Sequence, residues 1–430
     1  SMESSSSSAG GGAAGGAAVG GGAKYASTVA VTGPANPNED GCNDTAATTR
    51  STTTATVGCT TMLSLPTRLS SSLSSSGDGE EDLPQQQQKQ QQAGLGSDGN
   101  DCDITQIQAT SLLVSFWRWK ESQSSSTHQH HHQHRHSLLS EEDGYADGIL
   151  LQKFLSQEQL STLDQTYGKI QKGIDAMALR TRFIDDWVVS KVLQEQHKHQ
   201  QQKQKQQLEE QKSSSVTIIN LGAGVDPRPY RLKGLLDNDA LLYIEVDSDK
   251  SILELKHQVL TGTTGQSSRR NYEHLLRVGA DLCQLPQAYD AIQETVNASS
   301  AETDSANDPF PLLTPESDII WIAEGLLAYL EPQQRYDLLE MTCLKSGPRS
   351  KMVVTVLDVD GAHNFESMGL KIPWKQLSKT HDIKQTAIDA GWTNVTIITF
   401  DELYAKYCMG GEHKRPVLDL TGYCLMTLHK

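Results

Sequence analysis

Residues 218–232 read IINLGAGVDPRPYRL, a run of branched apolar side chains that breaks into Gly222-Ala223-Gly224 and then a proline-bearing turn. The strand predicted at 216–221 lacks apolar/polar alternation, as a central parallel strand buried on both faces should. Gly222 and Gly224 permit positive φ and leave space for a ligand against the backbone. In a dinucleotide-binding loop a third glycine lets the following helix pack close and aims its N-terminus at a pyrophosphate. Pro227 holds that place here. Proline fixes φ and removes an N–H donor, so the loop suits a nucleoside without phosphates better than a dinucleotide.

The next strand, YIEVD, ends about 25 residues beyond Gly222, the usual distance to an acid that grips a ribose diol. Glu245 and Asp247 share one side of that strand by alternation. Asp247 is nearer the carboxyl end, where ligands bind in such sheets, and is the better candidate. Two further strand ends carry polar groups. LLRVGADLCQL sets Asp281 and Leu282 past the third strand, where an acid can meet an adenine amine while a leucine packs on the ring. IIWIAEGLLAYL puts Glu324 at the tip of the fourth strand within an apolar run, and an unpaired carboxylate there would be costly to bury. The plainer alternatives are an ordinary tight turn for the glycines, a helix N-cap for Asp247, and a structural pairing of Glu324 with an arginine such as Arg180.

Around this unit, short apolar runs alternate with helical stretches, the signature of a parallel sheet with crossover helices. Strands are predicted at 216–221, 241–246, 275–279, 319–324 and 352–357, with a polar, acidic loop from Asn297 to Asp318 before the fourth. VTIITF and TGYCLMTL alternate apolar and polar residues and predict an antiparallel pair at the sheet edge. Upstream, ITQIQATSLLVSFWRWKESQ, GILLQKFLSQEQLSTL and GIDAMALRTRFIDDWVVSKVL predict three helices.

The chain of 430 residues carries a formal net charge of −16. That balance argues against a nucleic-acid partner, which calls for a basic face. No stretch approaches a membrane span, and the first residues lack a secretory leader pattern. Seven scattered cysteines without a CxxC pair predict free thiols in a reducing, cytoplasmic setting. The histidines between His128 and His136 lack cysteine or carboxylate company and read as a solvated loop, with no metal expected. The expected division is a low-complexity disordered tail at 1–102, a helical cap at 103–193, a Gln/Lys-rich insertion at 194–215 and the ligand-binding α/β domain at 216–430.

NLGAGVDPRPYRL, YIEVDSDKSILELKHQVL, GADLCQL and WIAEGLLAYLEPQQRYDLL, in this order, resemble the leucine carboxyl methyltransferase family. MALRTRFIDDWV resembles the family's helix before the glycine loop, and IQATSLLVSFWRWKES its N-terminal lid. The resemblance runs from about Thr105 to the C-terminus. It implies the class I methyltransferase fold, a Rossmann-like seven-stranded sheet with helices on both faces, and S-adenosylmethionine as cofactor. It also implies cofactor contacts at Arg118, Arg180, Gly222, Gly224, Asp247, Asp281, Leu282 and Glu324, with Arg180 meeting the methionine carboxylate. It departs from the family at GYADG, where Gly148 replaces a usual proline. RTRFIDD, LGAGVDPRPYRL and AEGLLAYL look more like the small-molecule branch than the branch acting on the C-terminal leucine of protein phosphatase 2A. The expected acceptor is therefore a carboxylate, or a hydroxyl, of a small molecule, with a protein C-terminus as the alternative and no catalytic residue identified. Two other readings share parts of the pattern. A NAD- or FAD-dependent oxidoreductase is opposed by Pro227 and the terminal antiparallel pair. A non-catalytic interaction module is opposed by Gly222, Asp247 and Glu324.

Overall fold

The computed structural model describes residues 104–123, 138–205, 216–232, 241–262, 272–302, 313–314, 316–370, 372–408 and 420–430. The expected tail at 1–102, the histidine run and the 206–215 part of the expected insertion lie outside the described residues.

Four helices come first: α1 (Ile104–Gln123), α2 (Glu141–Phe154), α3 (Gln157–Tyr167) and α4 (Gln171–Lys205). Then follow β1 (Val216–Leu221), α5 (Arg228–Arg231), β2 (Leu241–Asp247), α6 (Lys250–Gly262), β3 (Leu275–Gly279), α7 (Leu285–Glu302) and β4 (Ile319–Ala323). The chain continues through α8 (Pro332–Leu344), β5 (Lys351–Leu357), α9 (Val359–Ser367), α10 (Thr380–Asp389), β6 (Asn394–Thr399), α11 (Phe400–Cys408) and β7 (Tyr423–His429).

The strands form one sheet in the order β3-β2-β1-β4-β5-β7-β6, parallel except where β7 runs antiparallel to β5 and β6. The order reverses between β1 and β4, and that switch point opens a crevice at the strands' carboxyl ends. This is the seven-stranded class I arrangement. Strand alternation sorts the core into two layers. Ile218, Tyr243, Ile320 and Val353 face the cluster that includes α1, α2, α4, α6 and α9, whereas Ile219, Ile244, Trp321 and Val354 face α7, α8 and α10. The cap helices thus share one core with the first face of the sheet.

Three sequence expectations need correction. GILLQKFLSQEQLSTL is not one helix, because Ser156 accepts from Gln159 N in a capping box that starts α3 afresh after α2 has ended. The stretch from Asn297 begins within α7, whose last turns run to Glu302, while 303–312 lies outside the described residues. The terminal strands do pair antiparallel, but only β6 is at the edge. β7 is inserted between β5 and β6 and is almost wholly buried.

Candidate active site

Gly222 and Gly224 hold φ of 68° and 43° at the end of β1. A Cβ at Gly222 would stand 3.3 Å from Leu326 Cδ1, and one at Gly224 would stand 3.0 Å from Ser111 Oγ. The loop is stitched to β2: Gly222 N and Ala223 N donate to Val246 O at 2.8 and 3.0 Å, and Gly224 N donates to Asp247 Oδ2 at 2.8 Å. Past Pro227, the first helical amide, Arg228 N, donates to Asp226 Oδ1 at 3.1 Å. A side chain of the loop itself thus takes up an N–H that a phosphate cradle would need.

The two acids of β2 divide their roles. Asp247 emerges into the cavity, whereas Glu245 is fully buried behind the loop and pairs with Lys256 Nζ of α6 at 2.6 Å. Lys256 Nζ also donates to Gly224 O and Asp226 O, each at 2.9 Å. One ammonium therefore fixes the loop's carbonyls from below.

Glu324, just past β4, meets two arginines. Its Oε2 accepts from Arg228 Nη2 at 2.6 Å, and its Oε1 lies 2.7 Å from Arg180 Nε without hydrogen-bond alignment. The pairing of Glu324 with Arg180 considered from sequence is therefore real, and Arg228 joins it. Arg228 also binds Asp185 of α4 at 2.7 Å and contacts Asp226, and Arg231 donates from Nη2 to Asp185 Oδ1 at 2.9 Å. Burial pushes the Glu324 carboxyl up, but Arg180, Arg228 and Arg118 overcome it and hold the group well below the usual carboxylate range. Asp226 is likewise lowered, with Arg228 outweighing burial.

Arg118 of α1 makes a bidentate pair with Asp147 of α2, with contacts of 2.7 and 3.0 Å, and donates to Ser115 Oγ at 3.1 Å. Asp147 lies in GYADG, and Gly148 beside it has a physical reason. A Cβ there would fall 2.9 Å from the indole of Trp119.

Of the predicted positions, Arg118, Arg180, Gly222, Asp247, Asp281, Leu282 and Glu324 line one cavity of about 940 Å³. Gly224 sits just behind Asp247. The carboxylate of Asp281 accepts from Cys283 N at 2.9 Å and Gln284 Nε2 at 3.2 Å, while Leu282 is buried beside it. From Arg180 the cavity runs on to Tyr423, whose hydroxyl accepts from Arg180 Nη1 at 2.6 Å, and then over Phe365 to Trp374. Asp185, Arg228, Arg231, Lys256 and Tyr423 were not singled out as site residues from sequence. VDPRPYR did carry a signal, since charged residues directly after a buried strand must find partners. Lys256 and Tyr423 carried none, lying in ordinary helical and strand patterns. Among the described residues no group of His, Cys, Asp and Glu is arranged to hold a metal ion, and no helix is long and apolar enough to cross a membrane.

The strand order is that of the class I methyltransferase fold. Residues 111–303 match the profile of the leucine carboxyl methyltransferase family, and the chain is an S-adenosylmethionine-dependent methyltransferase. No curated protein matches the sequence. Solved structures with a similar outline include a putative methyltransferase from Thermobifida fusca, with TM-score 0.39 and 11% identity over 66% of this chain and 92% of that one. Magnesium protoporphyrin IX methyltransferase from Synechocystis, solved with bound SAH, gives TM-score 0.34 and 11% identity over 66% of this chain and 99% of that one. A SAM-dependent methyltransferase from Archaeoglobus fulgidus gives TM-score 0.29 and 12% identity over 51% and 87%.

Proposed function

We propose that this methyltransferase esterifies a carboxylate of a small molecule. The observation that carries the reading is the arginine clamp on two of the cavity's acids, Glu324 and Asp226. Glu324 and Asp226 are clamped by arginines and held below the ordinary carboxylate range, which makes them weak bases. A general base works best with a pKa near the operating pH, so neither suits the deprotonation of a hydroxyl. A carboxylate acceptor is already ionised and needs only to be aligned.

The residues fit the cofactor. The loop amide after Pro227 is taken up by Asp226, which suits a nucleoside lacking phosphates. Asp247 is assigned to the ribose hydroxyls, Asp281 to the adenine amine and Leu282 to the ring face. Arg180 and Glu324 are assigned to the charged amino-acid end, which Arg118 and its partner Asp147 frame. Gly222 gives the backbone room for close approach, and Gly224 holds Asp247. When bound, the cofactor would supply an activated methyl to an acceptor carboxylate that is already ionised, so that no residue of the chain would have to move a proton.

A protein C-terminus is the alternative acceptor. Against it, the wall after α9 is tied down where an open groove would be needed. Lys375 N donates to Ala328 O at 3.0 Å, while Arg335 donates to Leu330 O at 2.9 Å and to Gln376 O. The buried free thiols of Cys343 and Cys424 support a reducing, cytoplasmic setting. Transfer of labelled methyl groups to a metabolite extract, run beside a protein phosphatase 2A C-terminal peptide complex, tests the assignment. Base-labile label in the small-molecule fraction supports it, and label confined to the protein overturns it.

A further inference from the structure

Tyr423 accepts from Arg180 Nη1 at 2.6 Å, and no described residue accepts the hydroxyl's own proton. Burial raises its pKa against the opposing effect of Arg180, so the group stays protonated and remains a donor at neutral pH. A continuous run of rings starts from this point. Phe365 stands edge-on to Tyr423, with centroids 5.3 Å apart and planes at 82°. Trp374 is tilted against Phe365 at 6.4 Å, and Tyr329 against Trp374 at 5.7 Å. Trp374 Nε1 is a buried donor without a partner among the described residues.

Resting on the methyl-ester reading above, we propose that the acceptor is an aromatic carboxylic acid, its ring lodged against Phe365 and Trp374 and its carboxylate meeting the Tyr423 hydroxyl. Rings that present both edges and faces reward a flat aromatic guest beyond the area it buries. An aliphatic acid collects the area alone. An amide isostere of the acid lacks the charge that strengthens a hydrogen bond from the hydroxyl. Trp374 N donates to Ile372 O at 2.8 Å, Lys375 N to Ala328 O at 3.0 Å, and Arg335 binds Gln376 O, so the ring wall is preorganised.

The test uses the full chain saturated with S-adenosylhomocysteine, so that no turnover occurs, and titrates 2-naphthoate, 2-naphthamide and octanoate by calorimetry. We expect 2-naphthoate to bind about tenfold more tightly than either of the others, a difference of about 1.4 kcal/mol. Trp374→Leu should weaken 2-naphthoate by about tenfold, change octanoate by less than about threefold and leave S-adenosylhomocysteine affinity unchanged. Tyr423→Phe, which keeps the ring, should abolish the preference for the acid over the amide. Octanoate binding as tightly as 2-naphthoate overturns the proposal, as does a Trp374→Leu effect equal on both acids. Failure of S-adenosylhomocysteine itself to bind would overturn the cofactor assignments on which the proposal rests, and is read separately in the first titration.

Discussion

Glu245 and Asp247 lie two residues apart on one side of β2, yet Glu245 is sealed against Lys256 at 2.6 Å while Asp247 reaches the cavity and is held by Gly224 N at 2.8 Å. Both acids thus secure the glycine loop, one from beneath and one from its ligand side. Only the second lines the cavity.

That division separates affinity from stability. Asp247→Asn should weaken S-adenosylmethionine binding about tenfold or more in calorimetry, with little change in melting temperature. Glu245→Ala leaves a buried ammonium without its carboxylate and should cost about 3–5 kcal/mol in denaturant unfolding. If Glu245→Ala proved neutral to folding while abolishing cofactor binding, the division would be wrong.

Acidification tests the cluster around Glu324. Its folded pKa is depressed, so the stability it contributes is fully present above the unfolded carboxylate value and is lost as pH falls through the folded one. Melting temperature should therefore decline progressively below about pH 4.3, the ordinary glutamate value. Glu324→Gln should be less stable at neutral pH and show a shallower decline. Parallel acid profiles for the two proteins would contradict this.

Arg228 is fully buried among Asp185, Asp226 and Glu324. Lysine keeps the charge but has no planar fork to reach three carboxylates at once. Arg228→Lys should lose about 3–5 kcal/mol of stability, comparable to breaking a buried pair outright. Urea denaturation measures the loss, and a loss below about 1 kcal/mol would mean that charge alone suffices there.

Gly148 lies inside α2, where alanine ordinarily gains about 1 kcal/mol over glycine from helix propensity. Here the new Cβ would fall 2.9 Å from the rigid Trp119 ring. Overpacking of this kind costs about 1–3 kcal/mol, so the net effect of Gly148→Ala should be destabilising or near zero. Thermal unfolding decides the sign, and a clear gain would show that the α1–α2 contact yields easily.

The strand ends were readable in sequence because each followed an apolar run of recognisable period, so Gly222, Asp247, Asp281 and Glu324 could be placed before any coordinates. What holds them was less legible. Arg228 and Asp185 stand 43 positions apart, and Arg180 and Tyr423 stand 243 apart, distances at which periodicity carries no information. Lys256 looked like one more polar residue of an amphipathic helix, although it is fully buried. The break between α2 and α3 was missed for a different reason, since the capping box at Ser156 and Gln159 sits within an unbroken apolar rhythm.

The late arrival of β7 has a consequence for the biogenesis of the protein. β5 is buried along its whole length and mostly apolar, and it pairs with β7 from Lys351 to Leu357. During synthesis β5 emerges well before β7, and elongation at about 5–20 residues per second leaves its outer edge unpaired for several seconds. An unpaired apolar edge is a template for pairing with another chain. The nascent protein therefore passes through an interval when its sheet is open at the edge that later receives β7, the strand that brings Tyr423 to the cavity, and chaperone cover would matter most in that interval.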